Sequence, residues 1–102
     1  MARNSAPPLG IEEQTVTQYM VIENFLPGCR DAVYERFAQK GRMLPQGLKY
    51  IDSWLEKDGD RCFQLMETHD RSLFNEWIEN WKDLTDFEIV EIGSKPIKNG
   101  DA

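Results

Sequence analysis

Chemistry-bearing residues are scarce in this 102-residue chain: it has one histidine and two cysteines. Cys29 and Cys62 stand too far apart for a CxxC redox pair or a zinc knuckle, and a single histidine adds too few soft ligands for a closed metal site. Neither a metal nor a cofactor is expected. Gly-rich phosphate loops and the GxGxxG, HExxH and GxSxG signatures are all missing. No apolar run approaches the ~18 residues needed to cross a bilayer. The first residues, MARNSAPPLGIEEQTVTQ, lack the apolar stretch of a secretory signal, so a cytoplasmic protein with free thiols is expected.

Basic residues are also in short supply. There are 12 Lys and Arg against 18 Asp and Glu, giving a formal net charge of −6. Between Glu67 and Glu91 only Arg71 and Lys82 oppose eight carboxylates. A negative field of this kind repels phosphate backbones and anionic lipid surfaces, which argues against nucleic-acid and membrane partners.

What remains is an ordinary globular composition with bulky core material: 40% hydrophobic residues, with 3 Trp, 3 Tyr and 5 Phe. A chain of this length holds one domain. Residues 1–17 and 93–102 are rich in Pro, Gly, Asn and Ser and poor in large apolar side chains, and are expected to be flexible arms around a folded unit at 18–92.

Within that unit YMVIENF (Tyr19 to Phe25) is rich in β-formers and stops at Pro27-Gly28, as a strand followed by a turn does. Cys29 to Gly41 carries Ala32, Val33 and Phe37 at helical spacing, with Asp31 near its start and Lys40 near its end. Leu48 to Glu56 and Arg61 to Glu67 are two strands joined through the hairpin signal Lys57-Asp-Gly-Asp60. Asp70 is a natural N-cap for Arg71 to Leu84, where Leu73, Phe74, Trp77, Ile78, Trp81 and Leu84 make one apolar stripe. Asp86 to Ile92 is a last strand. The order β-α-β-β-α-β predicts an α+β, ferredoxin-like domain, an antiparallel sheet with two helices on one face. The RNA-recognition version of this fold is disfavoured, because Arg61 to Met66 lacks its glycine-aromatic signature.

Alternation along the strands assigns the faces. Met20, Ile22, Ile51, Leu55, Phe63 and Leu65 are expected beneath the helices. The opposite phase, with Tyr19, Val21, Glu23, Phe25, Tyr50, Asp52, Trp54, Cys62, Gln64 and Met66, is then the open face. It is too apolar to stay wet, which predicts a homodimer packed face to face, with Val21 central in its interface.

The runs YMVIENF, PGCRDAVYERF, GLKYIDSWLEKDGDRCFQLMET and FNEWIENWKDLTDFEIV resemble a family of short bacterial proteins known as domain of unknown function 3303. The resemblance covers about Tyr19 to Ile92. It implies a dimeric α+β barrel and no activity, since the family has none assigned.

The candidate proton-transfer groups are Glu23, Asp52 and His69. Tyr50, Trp54, Gln64 and Met66 are the candidate ligand-binding residues. A carboxylate on a desolvated face titrates high, whereas an interface salt bridge pushes it low. Trp77 and Trp81 belong to the core stripe. The function is unknown from sequence. The leading expectation is a homodimer that binds a small molecule, and the alternatives are a cofactor-independent oxygenase or isomerase-like enzyme and a structural or regulatory interaction module.

Overall fold

The computed structural model describes residues 16–57 and 59–93. The two expected arms lie outside the described residues, apart from Val16, Thr17 and Gly93, as does Asp58 in the hairpin turn. The elements run β1 (Thr17–Phe25), α1 (Arg30–Lys40), β2 (Lys49–Leu55), β3 (Arg61–Thr68), α2 (Leu73–Glu79) and β4 (Thr85–Ile92). They form one four-stranded sheet in the order β2-β3-β1-β4, with every neighbouring pair antiparallel. This is the ferredoxin-like arrangement, with β1 and β3 central.

Both helices lie against one face. Tyr19 of β1 meets Phe74 of α2 edge to face at 5.1 Å, and Phe25 of the same strand meets Tyr34 of α1 at 6.1 Å. Tyr19 and Phe25 are six residues apart and therefore share a face. On β1 and β3 the strand phase is the reverse of the sequence expectation, whereas Asp52, Trp54 and Leu55 of β2 keep the expected one. Tyr19, Val21, Glu23 and Phe25 are buried, as are Gln64 and Met66 on β3. Met20, Ile22, Phe63 and Leu65 are half-buried on the other, open face. Val21, expected at a dimer interface, is fully buried under the helices. On β2 the register slips between Tyr50 and Asp52, where the bulged strand carries Ile51 as an extra residue. Beyond the bulge Ser53 opposes Gln64 and Trp54 opposes Phe63. The slip puts Tyr50 and Ser53 in the helix-side phase, and Asp52 and Trp54 in the open-side phase.

Helix α2 is shorter than its apolar stripe. It begins after Ser72 because Asp70 ties up the preceding turn: its Oδ1 accepts from the Ser72 amide at 3.0 Å and hydroxyl at 2.6 Å. After Glu79 the chain continues in turns, with bonds from Trp81 N to Ile78 O and from Thr85 N to Trp81 O. The stripe persists through these turns, so Phe74, Trp77 and Trp81 are all buried. Helix α1 differs, since Val33 is its one buried residue and Tyr34 and Phe37 stay 43% and 44% exposed. It ends at Gly41 (φ 67), whose amide bonds back to Phe37 O at 2.8 Å. Arg36 links the helices through a two-pronged contact with Asp83 (2.8 and 2.7 Å) and a bond to Asn80 O.

The observed phase has a direct test. Met66 is completely buried within a single chain, so Met66→Ala is expected to lower unfolding free energy by about 2–5 kcal/mol in urea denaturation. A loss below ~1 kcal/mol would place Met66 on the other face.

Candidate functional site

Because α1 contributes so little to the core, a cavity of about 200 Å³ remains between it and the sheet. Its floor is Glu23 and Phe25 of β1 with Cys62 and Gln64 of β3. Val33, Tyr34 and Phe37 of α1 form one wall, and Ser53, Trp54 and Leu55 of the edge strand β2 another. Trp77 and Trp81 close the far side, and Arg42 reaches in from the α1–β2 loop. All three tryptophans of the chain therefore line this space.

The polar groups form a chain. Glu23, 8% exposed, accepts a hydrogen bond at Oε2 from the Gln64 amide nitrogen. The Gln64 carbonyl oxygen accepts in turn from Arg42 Nε at 3.1 Å. The register of β1 and β3 dictates the first link: Val21 opposes Gln64 and Glu23 opposes Cys62, so Glu23 and Gln64 are diagonal neighbours on one face. The second link depends on the loop. Both indole nitrogens, of Trp77 at 2.9 Å and Trp81 at 3.1 Å, donate to the Arg42 carbonyl. The Arg42 guanidinium lies 3.5 Å from the centre of the Tyr50 ring and 5.0 Å from that of Phe37, two aromatic faces that favour a cation.

These surroundings set the ionisation. Burial pushes the Glu23 carboxyl up to about 7, against the weaker opposing pull of Arg42 and the Gln64 hydrogen bond. The Cys62 thiol is pushed up to about 11, first by burial and then by the charge of Glu23 beside it. A thiol held that high is a poor nucleophile near neutral pH.

Among the sequence candidates, Glu23, Trp54 and Gln64 meet at this cavity. Asp52 does not: it is exposed, opposes Leu65 on the open side, and its Oδ1 accepts from the Ser53 amide at 2.8 Å. Met66 is sealed in the core. Tyr50 stacks on Arg42 and hydrogen-bonds Ser53 at 2.7 Å. His69 is exposed at a second, more open groove at another end of the sheet, which it shares with Tyr50, Leu48 and Glu67. Sequence reasoning missed Arg42, Tyr34 and Phe37. The one available signal was Gly41, whose end-of-helix turn hands the next residue back over the sheet.

A family model described as Domain of unknown function (DUF3303) matches residues 17–92, which run from the first residue of β1 to the last of β4. No curated protein and no solved structure matches the chain.

The raised Glu23 value links stability to pH. The folded chain keeps its proton up to about 7, whereas the unfolded carboxyl releases it near 4.5. Between those limits the folded state binds more protons, so stability is greatest below pH 4.5 as far as this group is concerned and falls as pH rises through 7. The loss is roughly 3 kcal/mol by pH 8. Urea titrations at pH 5 and pH 8 are expected to show it, and Glu23→Gln to flatten most of the slope. An unchanged slope in the variant would mean that Glu23 titrates normally.

Proposed function

The chain belongs to the DUF3303 family, whose description assigns no activity, and on that premise we propose that it is a cytoplasmic homodimer that binds a small, largely apolar molecule with one polar group. The observation that carries this reading is the cavity itself: aromatic and aliphatic walls around a single polar cluster of buried Glu23 and Gln64 with half-buried Arg42. Ligand sites of small molecules have this build, mostly apolar with a few convergent polar groups that fix orientation. The half-exposed rings of Tyr34 and Phe37 at its rim are apolar surface that a ligand would cover. The chain's net charge of −6 disfavours the approach of an anion and so favours a neutral ligand.

The dimer rests on the open face of the sheet. Met20, Ile22, Phe63 and Leu65 lie there beside the more exposed Trp54 and Val90, an apolar patch that touches all four strands and is interrupted by Asp52 and Glu88. A second copy of the same surface covers it most economically. In the cytoplasm the free Cys29 and Cys62 stay reduced.

Ligand binding can be followed through the three tryptophan indole N–H signals in NMR. Neutral planar molecules such as 2-indanone and 2-naphthol are expected to shift the Trp77 and Trp81 signals saturably, and 1-naphthoate to do so far more weakly. An absence of shifts with any of them at millimolar concentration would refute the binding reading. For assembly, light scattering is expected to give twice the chain mass at micromolar concentration. Leu65→Glu, which buries an unpaired charge at the interface, should weaken the dimer by on the order of 3 kcal/mol without unfolding the chain. A monomeric wild-type protein would refute the dimer.

A further inference from the structure

A buried carboxyl and a guanidinium that serve only to hold a fold normally face each other and satisfy one another directly, commonly through two parallel hydrogen bonds. Here they do not. Gln64 stands between Glu23 and Arg42 as the connecting group, donating to one and accepting from the other. One edge of each ion is thereby left over. Glu23 Oε1 and the two terminal nitrogens of Arg42 have no hydrogen-bond partner among the described residues, and both side chains line the same cavity. An acceptor and a cation joined through a neutral amide, both lining one largely apolar space, are the parts needed to move a proton off carbon. The acceptor removes it, and the cation stabilises the oxygen on which the charge lands.

We propose that the cavity binds a small planar ketone with enolisable hydrogens, that Glu23 is the base that removes a proton from the carbon beside the carbonyl, and that Arg42 holds the enolate oxygen. This rests on the small-molecule-binding reading above. In the step, the C–H bond breaks and an O–H bond forms on the Glu23 carboxylate. The electron pair of the C–H bond becomes the C=C bond of the enolate, and the carbonyl π pair moves onto oxygen. Returning the proton to the same carbon regenerates the ketone. Returning it to the far carbon of a conjugated system gives an isomer. Neither route needs an oxidant, reductant or metal. Gln64 is a positioning residue, since it fixes the Glu23 carboxyl and the Arg42 side chain without meeting the reacting carbon.

The surroundings of Glu23 suit a base that works near neutral pH. The charged or titratable groups that share the cavity with it are Arg42 from the α1–β2 loop, Cys62 from β3 and Tyr34 from α1. From β2 the cavity receives Ser53, Trp54 and Leu55, and from the α2 side Trp77 and Trp81, none of which is ionisable near neutral pH. Phe87 opposes Glu23 on β4. Arg42 is thus the one charge of opposite sign in the cavity, and burial outweighs it.

The experiment uses the full chain in deuterated buffer with 2-indanone as probe, following loss of its ring CH2 signal in proton NMR. Binding is read separately from the tryptophan indole N–H shifts in matched samples in ordinary water, where the indole proton is retained. Saturable exchange at least 100-fold faster than in buffer alone is expected, within the range a positioned base supplies. Its rate should rise with pH through about 7 as Glu23 ionises. Glu23→Gln is expected to bring exchange down to the buffer rate while the indole shifts persist. Glu23→Asp, which keeps the carboxyl but withdraws it, should retain a measurable fraction, and Arg42→Met should lose tenfold or more. Should Glu23→Gln not fold, the wild-type pH profile and the other two variants decide the matter. Bound probe with exchange no faster than buffer, or exchange that is indifferent to Glu23→Gln, overturns the proposal but leaves the binding reading standing. No indole shift at all overturns both.

Discussion

One backbone carbonyl, that of Arg42, organises the helix side of this domain. Two tryptophan indoles converge on it, from the end of α2 and from the turns that follow. A buried indole N–H must find an acceptor, and a carbonyl in a loop is an acceptor without a partner in the sheet or helices. The shared solution fixes three things together. It seats the two largest core side chains, anchors the α1–β2 loop against α2, and sets the starting point of the Arg42 side chain. Asn80 adds a further bond to the adjacent Met43 carbonyl at 3.2 Å, and Met43 holds a left-handed backbone (φ 59) within this anchored segment. Gly47, in the same loop at φ 99, has only 2.9 Å between the position of a Cβ and Leu73, so the loop is packed as well as tethered. The polar chain Arg42–Gln64–Glu23 therefore starts from a rigid point, although Arg42 lies outside any helix or strand.

The element order was legible because the punctuation was strong: Pro27-Gly28, Gly41 and the Lys57 to Asp60 turn each fall at a real boundary, whereas the helix expected to be capped by Asp70 starts only at Leu73, after Ser72. The phase of the strands was not legible, for a physical reason. Along β1 the odd positions offer Tyr19, Val21 and Phe25 and the even ones Met20 and Ile22, so both faces are apolar and alternation gives little contrast. A carboxylate ordinarily faces solvent, yet Glu23 lies on the covered face. Its burial is the departure from local pattern that needs a reason, as is common at a site. Helix α2 was overextended for a related cause: a 3.6-residue stripe describes which side chains are buried, and turns after Glu79 preserve that stripe without preserving the helix.

The candidate site divides in the same way. Glu23 and Gln64 were found because they lie on central strands, where pairing and alternation constrain the search, whereas Trp54 lines the cavity from the edge strand although the bulge puts it, like Asp52, in the open-side phase. Even with the face assigned wrongly, Glu23 and Gln64 remained in phase with each other, because a one-step error in phase moves all members of a strand together. Asp52 was grouped with them only because the bulge at Ile51 is invisible in the sequence. Arg42 was missed since nothing local in the segment Gly41 to Leu48 predicts its direction, which long-range bonds from Trp77 and Trp81 decide. Tyr34 and Phe37 looked like ordinary members of an amphipathic helix. Their exposure is explained only by the gap under α1.

The two faces of the sheet are not independent, and this bears on how a carboxyl can be kept so far from its ordinary ionisation. Glu23 and Gln64 face the cavity, whereas their chain neighbours Ile22, Phe63 and Leu65 face the open side of the same two central strands. The backbone at Glu23 is thus one peptide unit away from a surface that is half wet in a single chain. In the proposed homodimer that surface is covered, the central strands lose their access to solvent on both sides, and the cost of charging Glu23 rises further because less water can reorganise around it. Arg42 is not affected alike, since it is carried by the loop and stacks on Tyr50 and Phe37, away from the open face. Assembly would then act on the base more than on its cation.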